Sequence, residues 1–104
     1  MKEITVEELK RMKENGEDFQ LIDVREDFEY QMSNLEGENI PLGGVLIETD
    51  KISKDKPVVV MCRSGKRSAM AIMQLEAQGY TNLYNLQGGI LAWADQIDPS
   101  ISVY

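Results

Sequence analysis

Cys62 follows the apolar run Val58, Val59, Val60, Met61 and precedes Arg63, Ser64, Gly65, Lys66, Arg67 and Ser68. A continuous β-branched run of this kind reads as a central strand buried on both faces. Past Ser68, the residues Ala71, Ile72 and Leu75 recur at helical spacing until Gly79, so the polar loop feeds the N-terminus of a helix. The first N–H groups of a helix lack intrahelical partners and favour an anion. Arg63, Lys66 and Arg67 reinforce that preference: the net charge of −7 divides into +3 on this loop and −10 elsewhere. A free thiol ionises near about 8.5, and both helix N-termini and adjacent cations lower that value. Cys62 is therefore a candidate nucleophile that forms a thiolate near neutral pH without a histidine base. The same basic loop on an acidic protein attracts a small anionic substrate. Gly65 permits the tight curl, since its backbone reaches angles that a side chain penalises. The alternative reading, a small core hydrophobe closing a strand, leaves the grouping of strand end, glycine, cations and helix start unexplained.

The elements that must position this loop are legible around it. Thr5 and Glu8 form a capping-box pattern, with Val6, Leu9 and Met12 at helical spacing until Asn15 and Gly16, which predicts a first helix after a short strand at 3–4. Residues 19–24 read as a strand closed by Asp23. Residues 26–32 read as a brief acidic helix with Phe28 and Met32 on one side and Glu26, Asp27 and Glu29 on a solvated face. Residues 33–41 read as loop, and 45–47 as a helical turn and a half. Residues 83–86 predict another strand, and Gly88-Gly89 leads into a helix over 90–96 whose Trp93 is a packing residue. Strands alternating with helices predict an open α/β layered domain with a small, mostly parallel sheet, whose sites lie at the carboxyl ends of the strands.

Composition narrows the chemistry. A chain of 104 residues suits one domain. Its acidic balance, with 11 Lys+Arg against 18 Asp+Glu, argues against nucleic acid. Without histidine, the usual zinc ligand and every Cys–His or Ser–His pair are absent, so no metal or cofactor is expected. The apolar runs are far too short for a membrane helix, the opening MKEITVEELK has no apolar stretch of signal-peptide type, and a lone cysteine forms no intrachain disulfide. A cytoplasmic monomer without membrane contact is the resulting expectation.

The run CRSGKRS after VVVM resembles the active-site loop of single-domain rhodanese sulfurtransferases. The likeness extends to the opening segment 4–9, LIDVRE at 21–26, NIPL at 39–42 and LQGGILAW at 86–93. The closing segment is also similar to the rhodanese-like ends of molybdopterin- and thiamine-pathway activating enzymes. The resemblance implies a rhodanese-like three-layer domain, with helices on both faces of the sheet. It also implies that Cys62 takes a sulfane sulfur from a donor such as thiosulfate and passes it to a thiol, cyanide or protein acceptor through a persulfide. Arg63, Ser64, Gly65, Lys66, Arg67 and Ser68 would bind the donor and cradle the outer sulfur. Asp23 and Arg25 match the family's early signature and would support the loop from behind. The chain departs from many members in lacking a histidine before the middle proline, where it reads YQMSNLEGENIPL. Two rivals remain open. A phosphatase or arsenate reductase of related fold spaces its cysteine and arginine by five residues, and here only four separate Cys62 from Arg67. A carrier or interaction module would use the same loop to hand sulfur to a biosynthetic partner.

Overall fold

A computed structural model describes residues 1–103. Five strands form one parallel sheet: β1 (Glu3–Ile4), β2 (Gln20–Asp23), β3 (Glu38–Asn39), β4 (Val58–Met61) and β5 (Leu83–Leu86), in the order β1-β5-β4-β2-β3. Three helices lie in the connections between strands, α1 (Val6–Glu14), α2 (Asp27–Met32) and α3 (Lys66–Glu76), and α4 (Gly89–Gln96) follows β5. β4 is central and buried along its whole length, which is why its sequence shows no polar alternation.

Side-chain alternation along β4 divides the core into two layers. Val58, Val60 and Cys62 face Ala71, Ile72 and Leu75 of α3, together with Val45 and Ile52 from the β3–β4 connection. Val59 and Met61 face the other way, onto Val6 and Leu9 of α1 and Ile90 and Trp93 of α4. Cys62 is therefore on the α3 side by parity, beneath the start of that helix. β2 connects outward to β3 while β4 connects the opposite way to β5, so a crevice opens between the carboxyl ends of β2 and β4. The Asp23↔Met61 register brings Asp23 and Arg25 to that crevice beside Cys62.

The capping box at α1 forms as its spacing predicts: Glu8 N–H donates to Thr5 Oγ1 at 3.1 Å and Thr5 N–H to Glu8 Oε1 at 3.0 Å. Two expectations need correction. Residues 33–41 are not all loop, because Glu38 and Asn39 pair with Ile22 and Asp23 as the edge strand β3. Over 42–51 the chain makes two 3₁₀ turns, Leu42–Gly44 and Thr49–Lys51, with Val45 inserted in the core and Ile47 directed to solvent. Phe28 and Met32 do share a side of α2, and both are exposed. No helix among the described residues is long and apolar enough to cross a membrane, and these residues hold no acidic or cysteine cluster fit for a metal ion.

Candidate active site

The loop from Cys62 to Ser68 is held from both sides. At its back, the N-terminus of α4 donates into it: Ile90 N–H to the Cys62 carbonyl at 3.0 Å and Leu91 N–H to the Arg63 carbonyl at 3.1 Å. This contact requires glycine at position 89. Gly89 has φ +57°, and a Cβ there would fall on the carbonyl oxygens of Cys62 and Arg63. The Gly88-Gly89 pair thus does more than begin a packing helix; it lets a helix end meet the loop backbone.

At its front, the loop turns donors onto sulfur. Gly65, at φ +105°, directs its N–H to Cys62 Sγ at 3.1 Å, and Ser68 Oγ lies 3.4 Å from the same sulfur. Burial pushes the Cys62 thiol up. Hydrogen bonds from the Ser68 side chain and from the backbone of Ser68, Gly65 and Ser64 outweigh it, and the thiol ends below its ordinary range. Local hydrogen-bond donors are the largest of the groups that lower it.

The thiol is also less open than a free nucleophile would be. Cys62 is 1% exposed, because α3 and the loop cover the sulfur on the side where the donors converge. A larger cleft, of about 640 Å³, is lined by residues such as Lys13, Gln20 and Lys56 and includes no residue of the loop.

Asn85, unremarked in the sequence, completes the floor. It lies on β5 in register with Val60, two residues before Cys62, and is buried. Its Oδ1 accepts from Ser68 Oγ at 2.6 Å, and its Nδ2 donates to the Gly65 carbonyl at 3.1 Å. A buried amide is tolerated only when its groups are paired, and both ends here are used on the loop. The signal available in the sequence was a lone polar residue in an otherwise apolar strand.

The three cations are not equivalent. Lys66 is exposed, and Arg63 is partly buried. Arg67 forms a two-pronged pair with Glu29 of α2, Nη1 to Oε1 at 2.6 Å and Nη2 to Oε2 at 2.9 Å. This corrects the solvated-face reading of Glu29, whose side chain is 11% exposed. The Arg67 hydrogen bonds hold the Glu29 carboxyl down at about 2. Glu29 likewise makes Arg67 more strongly basic, and the charge of Cys62 acts on the guanidinium in the same direction.

Asp23 and Arg25 lie behind this pair and make no direct contact with sulfur. Arg25 Nε donates to both Asp23 oxygens at 3.0 and 3.1 Å, and Nη2 to Oδ2 at 2.8 Å, with both side chains buried. The same guanidinium reaches the carbonyls of Glu29 at 3.4 Å and Ser33 at 2.7 Å. A buried pair this fully hydrogen-bonded fixes geometry more than it adds stability. It ties down α2 from Glu29 to its C-cap Ser33, and so helps to set where Glu29 meets Arg67.

The rhodanese-like domain model matches residues 5–96. The chain belongs to the rhodanese-like family. It is 39% identical over 93 residues to a sulfurtransferase of Allochromatium vinosum, covering 88% of this chain and 87% of that one. It is 32% identical over 104 residues to the "Probable adenylyltransferase/sulfurtransferase MoeZ" of Mycobacterium tuberculosis, covering 97% of this chain and 26% of that protein. The chain therefore spans about a quarter of that relative. A rhodanese-like domain protein of Staphylococcus aureus superposes with a TM-score of 0.85 at 30% identity, covering 100% of this chain and 99% of that one. The rhodanese-like fold expected from the loop motif and its companion segments is thereby established, as is membership of a family of sulfurtransferases and sulfur carriers.

Proposed function

We propose that Cys62 is the sulfur-accepting nucleophile of a thiosulfate-type sulfurtransferase. The observation that carries this reading is the Gly65 N–H aimed at Sγ at 3.1 Å, in a loop whose donors favour the thiolate. In the first step the Cys62 thiolate attacks the outer sulfur of thiosulfate. A Cys62 S–S bond forms, the bond to the sulfonate sulfur breaks, and sulfite leaves with the bonding pair. In the second step a thiolate or cyanide attacks the outer sulfur of the persulfide, and the Cys62 thiolate departs ready for another cycle. The loop N–H groups stabilise anionic sulfur in both resting and loaded states. Arg63 and Lys66 supply positive charge for the donor, with Arg67 shared with Glu29.

The cover over Cys62 requires the Arg63–Gly65 segment to yield when a donor enters. It also supports a second reading, in which the chain is a persulfide carrier whose sulfur stays protected until a protein partner opens the loop. Steady-state turnover of thiosulfate and cyanide, set against sulfur uptake from a cysteine desulfurase, separates the two. The enzyme reading expects turnover that is absent in Cys62→Ala. Uptake from the desulfurase alone favours the carrier, and undiminished turnover in Cys62→Ala contradicts both.

A further inference from the structure

We infer that Glu29 of α2 is a specificity-determining residue for the loop: its charge slows loading from doubly charged donors such as thiosulfate, which the loop still accepts, relative to loading from persulfides of small thiols. The inference rests on the sulfur-transfer reading and concerns which donor the same site prefers. Arg67 is the loop cation whose guanidinium the Glu29 carboxylate engages at both terminal nitrogens, at 2.6 and 2.9 Å. A guanidinium has two edges that grip an oxyanion at two points, Nη1/Nη2 and Nε/Nη, and Glu29 fills the first of them on Arg67. An incoming sulfonate therefore meets an edge already occupied and a fixed negative charge beside it.

Glu29 is held in that place. Its side chain is 11% exposed, Arg25 binds the Glu29 and Ser33 carbonyls, and Glu26 N–H donates to Glu29 Oε1 at 3.0 Å. A carboxylate so fixed acts on each charge of a donor. A dianion is disfavoured more than a monoanion, and a neutral group is unaffected. A persulfide donor needs no sulfonate site: the Cys62 thiolate attacks the outer sulfur of RS–SH, the RS–S bond breaks, and RS⁻ leaves while the outer sulfur keeps its proton. The balance of the step is complete without a further reactant.

Glu29→Gln tests the inference, because glutamine keeps one oxygen for the Arg67 Nη1 and Glu26 contacts while it removes the charge and releases Arg67 Nη2. Loading of Cys62 is followed by intact mass for thiosulfate and for the persulfide of 2-mercaptoethanol. The variant is expected to load from thiosulfate about fivefold faster or more at low salt, with the persulfide rate changed less than about twofold. A slower thiosulfate rate would mean that Glu29 aims Arg67 at the donor, and equal changes for both donors would mean that it acts on the thiol alone; either overturns the inference. Alkylation of the single cysteine provides a readout independent of sulfur transfer. The ratio of iodoacetate to iodoacetamide rates should rise in Glu29→Gln, and an unchanged ratio overturns the inference. If neither donor loads the unaltered chain, the sulfur-transfer reading fails, while the alkylation ratio still decides what Glu29 does to anions.

Discussion

At the scale of single residues, the site depends on polar contacts made inside an apolar setting, and each has a measurable consequence. Glu29 is held at about 2 by Arg67, against an ordinary value of 4.5. A carboxyl whose folded value is depressed stabilises the fold fully above its unfolded value and loses that contribution as pH falls toward its folded one. The thermal stability of the natural chain should therefore exceed that of Glu29→Gln near neutrality, with the difference shrinking between pH 4.5 and about 2. Melting curves across that range check it, and a pH-independent difference would contradict the pairing. Asn85→Ala leaves the Gly65 carbonyl and the Ser68 hydroxyl without their buried partner, which should cost about 1–3 kcal/mol in urea unfolding. A neutral effect would mean that water replaces the amide.

At the scale of elements, legibility followed locality. The strand of Val58 to Met61 and the capped helix α1 were readable because burial on both faces and helical periodicity are written in consecutive residues. β3 was not, since a two-residue edge strand has no period to show. The loop chemistry was also legible at Cys62, where strand, glycine and helix start are contiguous. Its supports were not: Glu29 and Arg67 are separated by 38 positions, and Ser68 and Asn85 by 17. Such contacts are created by strand order, which brings α2 and β5 to the ends of the loop. The meeting of α4 with the loop yields a prediction at this scale. Gly89→Ala combines a left-handed backbone with a collision against two carbonyls, and should destabilise by at least about 1–3 kcal/mol. Denaturant unfolding measures it, and an unaltered midpoint would show that the α4 start can shift without cost.

At the scale of the whole molecule, an acidic body carries one basic loop at the carboxyl end of its sheet, and the only cysteine lies there. The absence of histidine makes this cysteine unusually easy to follow, because no imidazole titrates beside it. Its alkylation by iodoacetamide should show a midpoint below that of a free small thiol titrated alongside, in keeping with the lowered thiol. A midpoint above that of the free thiol would mean that burial outweighs the loop donors. Sulfur transfer by this chain requires Cys62 to take up sulfur, and intact-mass measurement after incubation with a sulfane donor examines that step alone. The natural chain should gain the mass of one sulfur atom, lose it on treatment with a thiol, and show no gain as Cys62→Ala. A chain that stays at its original mass with thiosulfate, small persulfides and a desulfurase alike would contradict the account.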